Sequence, residues 1–141
     1  MGDLKLTYQV DGVDLVQAGE ASSQMKMTLK KLGLPPEIIR EASVCMYEGE
    51  INMVIHADGG RVEVEVGMDA ITIRLIDQGP GIPDVDRAME EGYSTAGDVA
   101  RDLGFGAGMG LPNMKRYSDE MTIETEVGKG TVVTVVIKIP Q

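Results

Sequence analysis

The 141 residues contain no tryptophan and a single phenylalanine, so aliphatic side chains and ten methionines have to fill the interior. Cys45 is the one cysteine and cannot close a disulfide within the chain, which makes a reducing cytoplasm the expected compartment. His56 is the one histidine, with no second His or Cys at ligand spacing, and a zinc site is not expected. Positive charge is also scarce: 13 Lys+Arg against 23 Asp+Glu leave a net charge of −10. Nucleic acid and anionic membrane surfaces attract basic proteins, so neither is an expected partner. No apolar run approaches membrane-spanning length, and the opening MGDLKLTYQV lacks the basic and apolar regions of a leader. With 43% hydrophobic and 26% charged residues, the expectation is one globular domain over residues 1–141.

Glycine, by contrast, is abundant. The chain has 18, about 13% against a usual ~7%, and those from Gly79 to Gly110 are closely spaced. Concentrated glycine in a foldable chain marks places where backbone passes close to a ligand or takes a positive φ.

Leu4, Leu6, Tyr8 and Val10 alternate with polar residues as in a strand. From Asp14, a plausible N-cap, Leu15, Ala18, Ser22, Met25, Leu29 and Leu32 recur at steps of three and four. This is an amphipathic helix closed by Gly33 at C′. Pro35-Pro36-Glu37 opens a second helix that runs to about Ala57. Val62–Val66 and Ile71–Leu75 read as a hairpin across Gly67-Met68-Asp69. Pro83 to about Glu91 reads as a short acidic helix, residues 92–108 show no period, and Gly110 to about Asp119 reads as helix. Met121–Val127 and Thr131–Ile139 form a last hairpin across Gly128-Lys129-Gly130. The order β-α-α-β-β-α-loop-α-β-β indicates an α+β two-layer sandwich with a mainly antiparallel sheet.

Three stretches can carry chemistry. Glu48, Asn52 and His56 lie four apart, so they share a stripe about 80° wide on the second helix. Gly49 lies on the same side, where it would let something approach closely. One reading is a solvated polar face; the other is a carboxylate and an amide oxygen aimed at a hard cation or a reacting hydroxyl. Asp77-Gln78-Gly79-Pro80-Gly81 follows a strand, either as an ordinary turn or as a pocket wall beside a flat ligand. Gly104-Phe105-Gly106-Ala107-Gly108-Met109-Gly110 enters a helix, either as a flexible linker or as a segment whose backbone N–H groups bind an anion. No Gly-Lys-Ser/Thr follows, so it is not a Walker A loop. Cys45 reads as a core residue rather than a nucleophile.

Taken in order, these stretches resemble the boxes of the GHKL ATPase superfamily (Bergerat fold). Within it they resemble the anti-sigma-factor serine/threonine kinases of RsbW, SpoIIAB and RsbT type. Glu48–Ala57 matches the N box, Asp77–Pro83 the G1 box, Gly104–Leu111 the G2 region and Gly128–Thr131 the last glycine box. Glu91–Thr95 and Gly110–Arg116 look most like the RsbT branch.

The resemblance implies a role for each residue. Asn52 would hold Mg²⁺ at the triphosphate of ATP, and Glu48 would be the general base that takes the proton of an attacking serine. Asp77 would accept the adenine amino group, with Gly79, Gly81 and Ile82 beside the base and Thr131 supporting that contact. Gly104, Gly106, Gly108, Met109, Gly110 and Leu111 would form the phosphate-binding segment, with residues 92–108 as a lid. Gly49 and Glu50 depart from the bulkier or small neutral residues usual there, which implies a slightly reshaped site. The implied substrate is a small STAS-type antagonist protein. The alternative is a non-catalytic, nucleotide-dependent module that binds a sigma factor or activates a PP2C-type phosphatase; a homodimer is compatible with both.

Overall fold

A computed structural model describes residues 4–11, 19–57, 59–79 and 110–140. The elements in chain order are β1 (Leu4–Asp11), α1 (Glu20–Lys31), α2 (Pro36–Ala57), β2 (Gly59–Val66), β3 (Ala70–Asp77), α3 (Gly110–Tyr117), β4 (Glu120–Glu126) and β5 (Gly130–Lys138). The strands form one sheet in the order β1-β2-β3-β5-β4. Every neighbouring pair is antiparallel.

Alternation decides which face is covered. Val62 and Val64, then Ile71, Ile73 and Leu75, then Val133, Val135 and Ile137 are all buried on one side. Arg61, Glu63, Arg74 and Lys138 occupy the intervening positions, where they are exposed or half-exposed. The helices pack on the apolar side, with α2 reaching four of the five strands. Met25 and Leu29 of α1, Met46 of α2 and Met114 of α3 are fully buried there. Methionine therefore takes the core volume that aromatics do not supply. Each such side chain contributes roughly 1.5–3 kcal/mol on burial.

The first helix differs from the sequence reading at its start. It begins at Glu20, with Gly19 as N-cap in the left-handed region, and the expected first residues from Asp14 to Ala18 lie outside the described residues. Its end agrees: Gly33 follows with φ +76°. The third helix stops at Tyr117, two residues short of the expected Asp119. The acidic helix expected from Pro83 to Glu91 lies outside the described residues.

Gly49 explains how α2 sits on the sheet. A Cβ on Gly49 would run into the Leu75 side chain, so the missing methyl is what allows helix and strand to close. The partner that this glycine admits is the sheet, which corrects the expectation of a close approach on the Glu48–Asn52 side. Gly49→Ala should gain up to about 1 kcal/mol in helix propensity but lose roughly 1–3 kcal/mol to overpacking. We expect a lower urea midpoint with an unchanged slope.

Candidate active site

α2 carries the first half of the site. Glu48 and Asn52 are one turn apart and both half-buried, so neither is a freely solvated surface residue. Glu48 faces α3, where the Asn113 side-chain amide donates to its Oε1 at 3.4 Å. α3 is held against α2 by buried Leu111 and Met114. The Cys45 thiol, four residues behind Gly49, donates to the Met114 carbonyl at 3.5 Å. Cys45 is fully buried, and burial, with Glu41 and Glu48 nearby, pushes its pKa up to about 12. At neutral pH it is a thiol and a poor nucleophile. It is part of the packing that sets α3 beside Glu48.

Asp77 carries the second half. It ends β3 and pairs across the sheet with Thr131 of β5. Its Oδ1 accepts the Gly79 N–H at 3.0 Å, and the Thr131 backbone N–H also reaches the carboxylate. Burial pushes the Asp77 pKa above the usual carboxylate range, and these two N–H donors offset part of the rise. The carboxylate is thus partly desolvated and held at a defined angle, with acceptor capacity left over.

Two glycines let strands crowd this end of β3. A Cβ on Gly130, where φ is +131°, would meet the Asp77 carbonyl oxygen and approach the Gln78 Cα to 2.9 Å. A Cβ on Gly60 would meet the Ile76 carbonyl and lie 2.8 Å from the Met53 methyl. That contact also orients the two halves. Gly49 of α2 lies over Leu75 and Met53 lies over the level of Ile76, so the Glu48–Asn52 stretch runs towards the strand end that bears Asp77. Thr131 is buried and its hydroxyl lies 2.8 Å from that of Thr125 on β4. Asp77, Thr131 and Thr125 therefore form one row across three strands.

Of the residues expected in the site, Glu48, Asn52, Asp77, Gly79, Leu111 and Thr131 are described, together with the backbone of Gly110 at the start of α3. Gly81, Ile82, Gly104, Gly106, Gly108 and Met109 lie outside the described residues, as do residues 92–108 expected to form the lid. His56 falls in the last turn of α2, and its side chain is likewise outside the described part. Asn113 and Thr125 were not anticipated. Thr125 could have been found from the last hairpin, whose register sets it opposite Thr131. Asn113 is 65 residues from Glu48 and carries no local signal of that contact.

The family model described as "Histidine kinase-, DNA gyrase B-, and HSP90-like ATPase" matches residues 42–141. The chain is similar to the serine/threonine-protein kinase RsbT of Bacillus subtilis, with 36% identity over 106 residues, 72% of this chain and 74% of that protein. It is similar to an anti-sigma F factor of Clostridium beijerinckii, with 32% identity over 124 residues, 82% of this chain and 83% of that one. In three dimensions it resembles the crystal structure of the RsbU and RsbW domains of a Mycobacterium tuberculosis protein. The TM-score is 0.62 at 17% identity, over 96% of this chain and 32% of that chain, and this likeness bears on fold alone. The chain therefore belongs to the histidine kinase-, DNA gyrase B- and HSP90-like ATPase family, with the GHKL fold that RsbT-like and anti-sigma-factor proteins share.

Proposed function

We propose that this protein is an ATP-dependent serine/threonine kinase of the anti-sigma or switch-kinase type, which phosphorylates a small STAS-type antagonist protein in the cytoplasm. The observation that carries this reading is the pairing on α2 of half-buried Glu48 and Asn52, on a helix that runs towards the end of β3 where Asp77 lies. RsbT bears the name serine/threonine-protein kinase, which supports the same class of reaction.

The chemistry follows from the groups. The Asp77 carboxylate accepts from the adenine amino group and repels the guanine carbonyl, which selects ATP. The backbone N–H groups that begin α3 at Gly110, with those of the glycine-rich segment before it, are donors for phosphate oxygens. Asn52 offers a neutral amide oxygen, a donor suited to Mg²⁺, and would hold that ion at the triphosphate. When bound, Mg²⁺ supplies positive charge that offsets the charge developing on the phosphates. Glu48 takes the proton from the substrate hydroxyl while the new O–P bond forms and the bond from the γ-phosphorus to the bridging oxygen of ADP breaks. The Asn113 amide occupies one of about four acceptor positions on that carboxylate, which orients it and leaves room for the hydroxyl.

The second reading is a nucleotide-dependent interaction module that binds a sigma factor or activates a PP2C-type phosphatase. One observation favours it: Glu48 already has a partner in Asn113. Co-purification from the native host in the presence of ATP, followed by phosphosite mapping, separates the two. A small STAS-type protein bearing phosphoserine or phosphothreonine supports the kinase. A sigma factor or phosphatase with no phosphorylated protein supports the module.

A further inference from the structure

The structure gives Glu50 a task of its own. It is 3% exposed, and it lies about 200° round the helix from Glu48. Its carboxylate meets the first turn of α1. Oε2 accepts the Gly19 N–H at 2.9 Å and the Ala21 N–H at 3.2 Å, and Oε1 accepts the Ser22 N–H at 3.0 Å. The Ser22 hydroxyl lies 2.9 Å from Oε1 and 3.0 Å from the Gly19 carbonyl, with one proton between them. Gly19 is the N-cap of α1 and has no capping side chain of its own. A carboxylate from another helix therefore caps α1, and its charge suits the positive end of the helix dipole.

Tyr47 closes on the same place: a Cβ on Gly19 would come within 2.8 Å of its ring. The turn Tyr47–Glu50 is thus held from three directions. Tyr47 and Glu50 grip α1, Gly49 lies against Leu75 of β3, and Glu48 meets Asn113 of α3. A carboxylate carried about 5–6 Å from a helix axis moves about 1 Å when that helix turns by 10°. A misplacement of about 1 Å can cost on the order of 100-fold in rate.

We propose that Glu50 is a positioning residue, which holds the first turn of α1 and thereby sets the rotation of α2 that places the Glu48 carboxylate. The proposal rests on Glu48 as the base. A cap that only stabilised the fold would lower Tm and leave turnover untouched.

The test uses the full chain, γ-labelled ATP and the protein substrate, at least 15 °C below the lowest Tm of the set. Wild type, Glu50→Gln, Glu48→Gln and the double variant are compared. Gln keeps the size of Glu50 but removes its charge and one acceptor oxygen. We expect kcat of Glu50→Gln to fall about tenfold, with KM for ATP changed no more than threefold, and the double variant to be no slower than Glu48→Gln alone. Wild-type kcat in Glu50→Gln, or an equal fold-loss with and without Glu48, overturns the proposal. Glu48→Gln at the wild-type rate instead overturns the reading of Glu48 as base, and it does so in its own arm. If Glu50→Gln does not fold, Ser22→Ala removes only the hydroxyl contact. Its kcat should fall two- to threefold with Glu48 present and not at all without it; an unchanged kcat overturns the proposal.

Discussion

Asp77→Asn should cost ATP affinity without costing stability. The substitution keeps the side chain's size and one oxygen, whose two lone pairs can still accept the Gly79 and Thr131 N–H groups. It replaces the acceptor proposed for the adenine amino group with a donor. Hydrogen bonds to charged groups contribute roughly 1.5–3 kcal/mol, so calorimetry should show affinity down by about 10- to 100-fold. Stability should move the other way. The folded-state pKa of Asp77 is raised by burial. Its ionised form is therefore destabilising relative to the unfolded chain, and that cost is relieved as pH falls through the raised pKa. Asn is neutral throughout, so Tm at neutral pH should be unchanged or higher. The same shift sets a pH dependence. Wild-type affinity should decline on acidification at a higher pH than an ordinary Asp would produce. Asp77→Asn should show only the nucleotide's own titration. A variant with wild-type affinity would remove Asp77 from the adenine site.

Glu48→Ala should separate binding from chemistry. Asn52 and Asp77 are untouched by it, so Mg-ATP should still bind within a few-fold of wild type. Phosphotransfer should fall by roughly 10²–10⁴, the usual contribution of a positioned base. Asn52→Ala should show the opposite pattern, with the Mg²⁺-dependent part of ATP affinity lost first. Rapid-quench kinetics for the first variant and titration with and without Mg²⁺ for the second give the two readouts. Transfer at the wild-type rate in Glu48→Ala would assign the base elsewhere.

Both predictions draw on residues that are legible in the amino-acid sequence. Periodicity exposed the sheet and the two long helices because a single buried face imposes period two or 3.6 on apolar residues. The spacing of Glu48 and Asn52 was legible for the same reason, since four residues return to one helix face. The contacts that complete the site were less visible. Gly49 could be recognised as unusual within a helix, but only the packing shows that Leu75 fills the space. Glu50 looked like a local variation on α2, whereas its hydrogen-bond donors are 28 to 31 residues away on α1. The start of α1 is hidden from the sequence for a related reason. Asp14 resembled an N-cap by residue type, while the actual cap is a carboxylate from another helix, and no local pattern can show that.

On the proposed function, this fold moves phosphate from ATP to a protein hydroxyl. Phosphoamino-acid analysis tests it most directly, after the wild-type chain is incubated with Mg²⁺, γ-labelled ATP and the partner recovered from the native host. Label is expected on serine or threonine of that partner, with none beyond background when Glu48→Ala replaces wild type over the same interval. An unlabelled partner held in a stable complex with intact ATP would contradict it.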